Sequence, residues 1–252
     1  MDSVVNQLYK DFEYVIIDGG STDGSIDIIK EYADKISYWI SEPDNGIYNA
    51  MNKGIRQAKG EYLQFLNSGD WLVNDSVLST VFTNLPAFDM VYTNMIKVMP
   101  GGTLVTDKGP EGGNISFQTF YLKNINHSSV FIKSTLFAKY GLYDEKLKIA
   151  SDWKFFLVAA GLNKCNILYK DINVTYFDMT GISNTQLALL REEKKKVLEE
   201  LVPYPVLVDY ENNESEVIRL ALINRHIITA KLFRLSQILL VRLSHLLTRN
   251  KK

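Results

Sequence analysis

Four short segments of this chain carry side chains that could do chemistry, all of them acids or amides at the ends of strand-like runs or at a helix start. In the first, Tyr14-Val15-Ile16-Ile17 runs into Asp18 and then into Gly19-Gly20-Ser21-Thr22-Asp23-Gly24. A carboxylate at the C-terminal tip of a parallel strand lies in the crevice where open α/β sheets bind ligands. The glycines let a flat ligand approach the backbone, since no Cβ stands in the way. Asp18 is therefore a candidate acceptor for an N–H or a sugar hydroxyl. The same residues also read as a turn begun by Asp18 and a helix capped by Asp23. The second and third tips are Asp44-Asn45, in a loop rich in turn residues, and Asn67-Ser68-Gly69-Asp70. The fourth is Ile149-Ala150-Ser151-Asp152-Trp153, an acid at a helix start beside a large aromatic. There Asp152 is either a general base for a hydroxyl nucleophile or an acid placed to suit the helix dipole.

Oxygen donors gathered at one sheet edge, with no thiol or imidazole cluster, suit a hard divalent cation, Mg²⁺ or Mn²⁺. Such ions normally bring an anionic ligand, typically a diphosphate. No Walker sequence and no G-x-G-x-x-G occurs, which argues against ATPase and dinucleotide chemistry. The acids after Asp18 do not follow calcium-loop spacing.

Positioning these tips requires a regular scaffold. The pattern predicts strands over Phe12–Asp18, Ile36–Ser41, Glu61–Leu66 and residues 88–94. Helices are predicted between them over Ser25–Lys35, Ile47–Ala58 and residues 74–84. In the second of these helices, Ile47, Ala50, Met51 and Ile55 share one face. Alternation of this kind implies a parallel sheet with covering helices. Beyond it, Met95–Thr106 reads as a hairpin around Pro100-Gly101-Gly102. Lys108–Asn126 reads as a Gly-rich mobile loop crossing the site. Ser129–Lys133 reads as a strand and Ile149–Ala160 as a helix. Cys165–Tyr169 and Asn173–Phe177 read as a strand pair. A charged helix spans Asn184–Leu201, ahead of Pro203 and Pro205.

The 252 residues suffice for one large α/β domain with an appendage. A single cysteine, Cys165, excludes an internal disulfide, and His127, His226 and His245 are too scattered for a zinc motif. Residues 1–11 carry Asp2, Lys10 and Asp11 with no long apolar core, so no signal peptide is read there and the cytoplasm is expected. The net charge of −1 hides an asymmetry, because residues 217–252 hold eight Lys/Arg and no acid. The last helix expected there has Lys231, Arg234, Arg242, His245 and Arg249 on one face and leucines opposite. It reads either as an amphipathic helix at the inner face of an anionic membrane or as a helix packed on its own domain.

Three blocks in this order and spacing resemble a known family. They are Asp18–Gly24, Ser41–Ile55 with Gly46-Ile47-Tyr48-Asn49-Ala50-Met51-Asn52-Lys53-Gly54 at its centre, and Gly60–Asp70. Across about residues 2–185 the chain resembles family 2 glycosyltransferases of the GT-A fold, of the bacterial polysaccharide and lipopolysaccharide assembly type. That resemblance implies a Rossmann-like, mostly parallel sheet with flanking helices over 1–185 and a helical region over 186–252. It implies an inverting hexosyl- or N-acetylhexosaminyl-transferase taking a nucleotide-sugar donor, usually a UDP-sugar, to a glycan or lipid-linked acceptor. Nucleic acid is not an expected partner. Asp18 and Ser21 then hold the nucleotide base, and Asp44, Asn45 and Asn67 line the donor pocket. Asn67 and Asp70 hold Mn²⁺ or Mg²⁺. Asp152 is the base that deprotonates the acceptor, His127 and Trp153 lie on the acceptor side, and Gly181 and Ser183 belong to a loop closing near the diphosphate.

Two departures from the family pattern carry consequences. The usual metal motif is Asp-x-Asp, and here Asn67 and Gly69 stand where carboxylates are common, which lowers the site's charge. Family members also open with a strand and a Thr/Ser-x-Tyr/Asn turn ahead of the point where Met1 falls. A shortened product missing a central strand is the expectation, with strand edges left unpaired. These departures motivate the alternative of a catalytically silent subunit that binds a nucleotide sugar or scaffolds a polysaccharide assembly complex.

Overall fold

The computed structural model describes residues 1–109, 115–216 and 218. Val15, Ile16 and Ile17 form β1 (Val15–Asp18) behind a short α1 (Asp2–Val5), and β1 feeds α2 (Ser25–Glu31). Asp23 Oδ1 accepts from the Ser25 amide at 3.1 Å and its hydroxyl at 2.7 Å, holding the helix entry. Then come β2 (Tyr38–Ser41), α3 (Ile47–Gln57), β3 (Tyr62–Leu63), β4 (Trp71–Leu72), α4 (Val77–Phe82), β5 (Met90–Val98) and β6 (Leu104–Asp107). The chain continues through α5 (Phe117–Leu122), β7 (Val130–Lys133), α6 (Thr135–Tyr140), α7 (Ser151–Phe156) and β8 (Ile167–Asp178). It goes on through α8 (Ile182–Thr185), α9 (Leu187–Leu201) and α10 (Tyr204–Asn212). The chain divides into two compact units, Met1–Val197 and Leu198–Lys252. No described helix is long and apolar enough to cross a membrane. The basic tail expectation for 217–252 falls, apart from Ile218, outside the described residues.

The sheets are mixed. β1 and β2 pair in parallel, as do β5 and β8. In the larger sheet, ordered β3-β7-β5-β8-β4 with β6 on β5, the other pairings are antiparallel. Among the described pairings the parallel bias read from strand–helix alternation thus holds for β1–β2 and β5–β8. The five-residue turn from β5 to β6 is too short for a parallel crossover. Met99 and Thr103 close that turn at 2.9 Å, with Gly101 and Gly102 at φ 90° and 85°. The core lies on this sheet, where Val91, Phe131 and Val174 pack against Leu72, Val77, Leu78 and Val81.

Three local expectations are corrected. The proposed strand pair around Cys165–Phe177 is one continuous twelve-residue strand, β8. Without Gly or Pro to turn the chain, its polar centre forms an irregularity opposite Asn94, where Asn94 Nδ2 holds Asp171 at 2.8 Å. The second half of the supposed mobile loop is α5, entered through a capping box of Ser116 and Thr119 and anchored by the fully buried Phe120. On α3 the buried residues are Tyr48, Met51 and Asn52, whereas Ile47 is 37% exposed. The buried face is rotated because Tyr48 and Asn52 find polar partners inside.

Among the described residues no hydrogen bond joins β1 to β3. Residues 12–15 and Ile17 on one side and residues 62–67 on the other line a common cavity of about 1300 Å³. Every residue of β1 and β3 is only half-buried. The outer edges of both strands are thus open to pairing.

Candidate active site

Asp18 is an organiser of its own turn. Its Oδ2 accepts from the amides of Gly20 at 3.0 Å and Ser21 at 2.9 Å and from the Ser41 hydroxyl at 2.6 Å. Ser21 Oγ donates to Oδ1 at 2.5 Å. Hydrogen bonds from the Ser21 and Ser41 hydroxyls outweigh desolvation and hold the carboxyl at about 2, so it stays ionised in any working buffer. Oδ1 keeps lone-pair capacity for a ligand N–H, so the turn and ligand readings of Asp18 are compatible. A Cβ on Gly19 would meet Asp44 Oδ2 at 2.5 Å, so this glycine is what lets the Asp44 loop close onto the Asp18 turn.

A chain of hydrogen bonds links residues far apart in sequence. The Tyr48 hydroxyl, from α3, lies 2.9 Å from Asp152 Oδ1 and 2.5 Å from the Ile149 carbonyl, with one proton shared between them. Asp152 Oδ1 also accepts from the Trp153 amide at 2.8 Å. On the other oxygen, Asp152 Oδ2 lies 2.9 Å from His127 Nδ1, and His127 Nε2 lies 2.9 Å from Asn67 Nδ2. With Asn67 donating, Nε2 accepts and the imidazole proton sits on Nδ1, given to Asp152. Burial raises the Asp152 carboxyl, but the His127 contact, the Trp153 amide and Tyr48 together hold it below the usual range. Burial, helped by the Asp152 charge, pushes the Tyr48 hydroxyl far up, so it remains a donor. The result is a buried, ionised carboxylate with one lone pair of Oδ2 not used by these contacts.

Asp70 supplies the second centre. Its Oδ1 accepts from the Asp178 amide at 3.0 Å, whereas its buried Oδ2 has no hydrogen-bond partner. Burial pushes this carboxyl up to about 6. An ionised, half-satisfied carboxylate in such a place is costly unless a cation compensates it. The Asp178 carboxylate lies close by, 3.1 Å from a Cβ built on Gly69. Oxygen donors from Asp70, Asp178 and the Asn67 amide fit a hard divalent cation, although no group of three His, Cys or acidic side chains converges among the described residues. Gly69 sits at φ 95°, so Gly69→Ala meets both backbone strain and the Asp178 carboxylate. That variant is expected to lose about 1–2 kcal/mol of stability to strain, read as a lower melting temperature.

Asp44, Asn67, Asp70, His127, Asp152, Gly181 and Ser183 all line the 1300 Å³ cavity. Asp18, Ser21, Asn45 and Trp153 are not in its lining. Asn45 is exposed beside it, its amide 3.4 Å from Asn49 Oδ1. Trp153 is 1% exposed and donates Nε1–H to the Phe120 carbonyl at 3.0 Å, so it supports Asp152 from beneath rather than facing an acceptor. Sequence reasoning passed over Tyr48 and Asp178. Tyr48 lies inside the quoted Gly46–Gly54 block, where a tyrosine among helix-face residues was the available signal. Asp178 ends a strand and had no motif to mark it.

Residues 1–128 match the sequence profile of glycosyl transferase family 2. An uncharacterized glycosyltransferase of Mycobacterium tuberculosis is 32% identical over 187 residues, covering 72% of this chain and 70% of its own. The chain belongs to glycosyltransferase family 2. A glycosyltransferase of PGL/p-HBAD biosynthesis from Mycobacterium bovis is 29% identical over 196 residues, 73% of each chain. In fold, this glycosyltransferase is similar to S. aureus TarS 1-349 in complex with UDP-GlcNAc, with a TM-score of 0.60 at 19% identity over 89% of this chain and 74% of that one. It spans 39% of the longer TarS chain. It is similar also to the mannosyltransferase PcManGT from Pyrobaculum calidifontis in complex with GDP-Man and Mn²⁺, with a TM-score of 0.59 at 14% identity over 95% and 75% of the two chains. These neighbours establish the GT-A fold.

The glycosyltransferase's one thiol lies away from this chemistry. Burial, with the Asp89 charge nearby, pushes Cys165 up to about 12. Since the thiolate is the nucleophile, Cys165 in the native enzyme is expected to resist iodoacetamide at pH 8 and to react on unfolding, as intact-mass shifts would report.

Proposed function

We propose that this family 2 glycosyltransferase moves a sugar from a UDP-sugar donor to a glycan or lipid-linked acceptor of surface polysaccharide synthesis, with inversion. The observation that carries this reading is the buried, ionised Asp152 tied through His127 to Asn67, one loop away from the unpaired oxygen of Asp70. Asp152 takes the proton of the acceptor hydroxyl as its oxygen attacks C1 of the donor sugar. The bond from C1 to the diphosphate oxygen breaks on the opposite face, so a single displacement inverts the anomeric centre. His127 steadies Asp152 and borders the space for the acceptor. Asp70, Asn67 and Asp178 would hold Mn²⁺ or Mg²⁺, which when bound offsets the charge growing on the leaving diphosphate. Asp44, in the cavity lining, and Asp18, Ser21 and Asn45, outside it, would take the nucleoside. Gly181 and Ser183, at the start of α8, border the diphosphate end.

Mass spectrometry of a UDP- and GDP-sugar panel, with and without Mn²⁺ and with a lipid-phosphate acceptor, tests this directly. Release of UDP from one donor, lost in Asp152→Asn, supports the transferase. Tight UDP binding without turnover of any donor supports instead a silent nucleotide-sugar-binding subunit, the reading favoured by the open edges of β1 and β3. Peripheral attachment to the inner membrane face through residues 217–252 is part of the proposal. Equal binding of the full chain and a chain ending at Glu216 to anionic vesicles would remove it.

A further inference from the structure

The segment that presents Asp152 is gripped on both faces, and the grip on one face comes from a helix that no motif marks. Glu193, on α9 and 6% exposed, accepts three backbone amides in succession: Lys148 on Oε1 at 2.7 Å, and Ile149 and Ala150 on Oε2 at 3.0 Å each. These amides belong to the three residues that immediately precede α7, and buried backbone N–H groups there need partners that no regular element supplies. One buried carboxylate from a distant helix satisfies all three and so fixes the backbone that leads into Asp152. On the carbonyl side of the same peptides, the Tyr48 hydroxyl holds the Ile149 oxygen and Asp152 Oδ1 together. The next residue of α9, Lys194, places its ammonium 4.8 Å from the centre of the Trp153 ring. Helix α9 therefore contacts the residues on either side of Asp152.

We propose that Glu193 is a positioning residue for catalysis: by holding the Lys148–Ala150 amides it fixes Asp152 at the height where Tyr48 and His127 can both reach its carboxylate. This rests on the assignment of Asp152 as the base. Glu193 touches neither donor nor acceptor, so its loss acts on the chemical step through geometry. The charge matters as well as the shape. Gln at 193 can offer its single amide oxygen to some of these N–H groups, but its NH₂ faces a donor where Glu193 presents a second acceptor.

The test compares Glu193→Gln, Glu193→Asp and Asp152→Asn with the unaltered chain, measuring donor kcat, donor KM, the pH profile of kcat and thermal melting. A misplacement of the base on the scale of an ångström is expected to lower kcat by about 10–100-fold in Glu193→Gln. The donor KM should stay within about twofold, because the donor end of the cleft is not held by Glu193. The acid limb of kcat should move to higher pH, since Asp152 loses contacts that favour its ionised form. Glu193→Asp keeps the charge with shorter reach and should recover part of the rate. If Glu193→Gln does not fold, Glu193→Asp carries the same comparison, with a smaller loss of kcat and the same direction of the acid limb. A lower melting temperature with unchanged kcat and acid limb in the folded variant overturns the proposal and leaves Glu193 a structural cap. Retention of activity by Asp152→Asn overturns the parent assignment instead, which keeps the two failures distinct.

Discussion

Asp152→Asn is expected to lower donor turnover by about 10²–10⁴-fold, the range general-base catalysis contributes, while UDP binding changes by less than about twofold. The substitution keeps size and shape. An amide oxygen at Oδ1 still accepts from Tyr48 and Trp153, whose contacts are 2.9 and 2.8 Å in the native site. The new NH₂ then faces His127 Nδ1, which must give up its proton to the other ring nitrogen, and the Asn67 amide must turn over to accept it. This rearrangement is local, so the fold should survive. The variant is also expected to lose a pH dependence of stability. Asp152 lies below its usual value in the folded protein, so the stability its charge contributes is complete above the unfolded value. That stability is lost as pH falls through the folded value. Acid titration of the melting temperature, run beside single-turnover UDP release, checks both statements. Turnover within about tenfold of the native rate would exclude Asp152 as the base.

The second large effect is structural. Asn52 is 1% exposed and bonds both the carbonyl and the amide of Tyr143, in the link between α6 and α7. Its Nδ2 donates to the Tyr143 carbonyl at 2.9 Å and to Glu145 at 2.8 Å, and its Oδ1 accepts from the Tyr143 amide at 3.0 Å. Asn52→Leu fills the space but leaves a buried N–H and a buried C=O without partners. Each such orphan costs about 1–3 kcal/mol, so a loss of about 2–5 kcal/mol is expected. For a unit of this size that corresponds to a fall in melting temperature of roughly 5–15 °C, measured by calorimetry or by urea unfolding. The same peptides lead into Asp144, which holds Lys154 of α7 at 2.9 Å, so activity should fall together with stability. A shift of under about 1 kcal/mol would mean that water replaces the asparagine.

Much of the scaffold was legible because it depends on local chemistry. Val-Ile-Ile before Asp18 forms a strand, Asp23 holds the α2 entry, and Gly101-Gly102 turns a hairpin, each set by residues within a few positions. The family was legible for a related reason: Asp18–Gly24, Ser41–Ile55 and Gly60–Asp70 are contiguous blocks whose order and spacing are read directly along the chain. The less legible features were set by long-range partners. The mixed pairing of the larger sheet depends on which strands neighbour each other, and strand propensity does not encode that. Tyr48 and Asn52 turned inward because their acceptors lie about a hundred residues later in the chain. Trp153, expected beside an acceptor, is instead buried beneath Asp152 because the Phe120 carbonyl satisfies its indole N–H.

The sequence by itself determined the family, the fold class, the order of most elements and the short list of acids and amides from which a site can be built. Only the tertiary structure decided how those groups are used. Asp18 organises its own turn and keeps acceptor capacity on Oδ1, Asp70 keeps one buried oxygen free, and Asp152 is held by Tyr48, His127 and the Glu193 clamp on the preceding peptides. The reason is physical. A side chain's type sets what it can donate or accept, whereas burial and the partners brought to it by the fold set its charge and leave open the lone pairs available to a ligand.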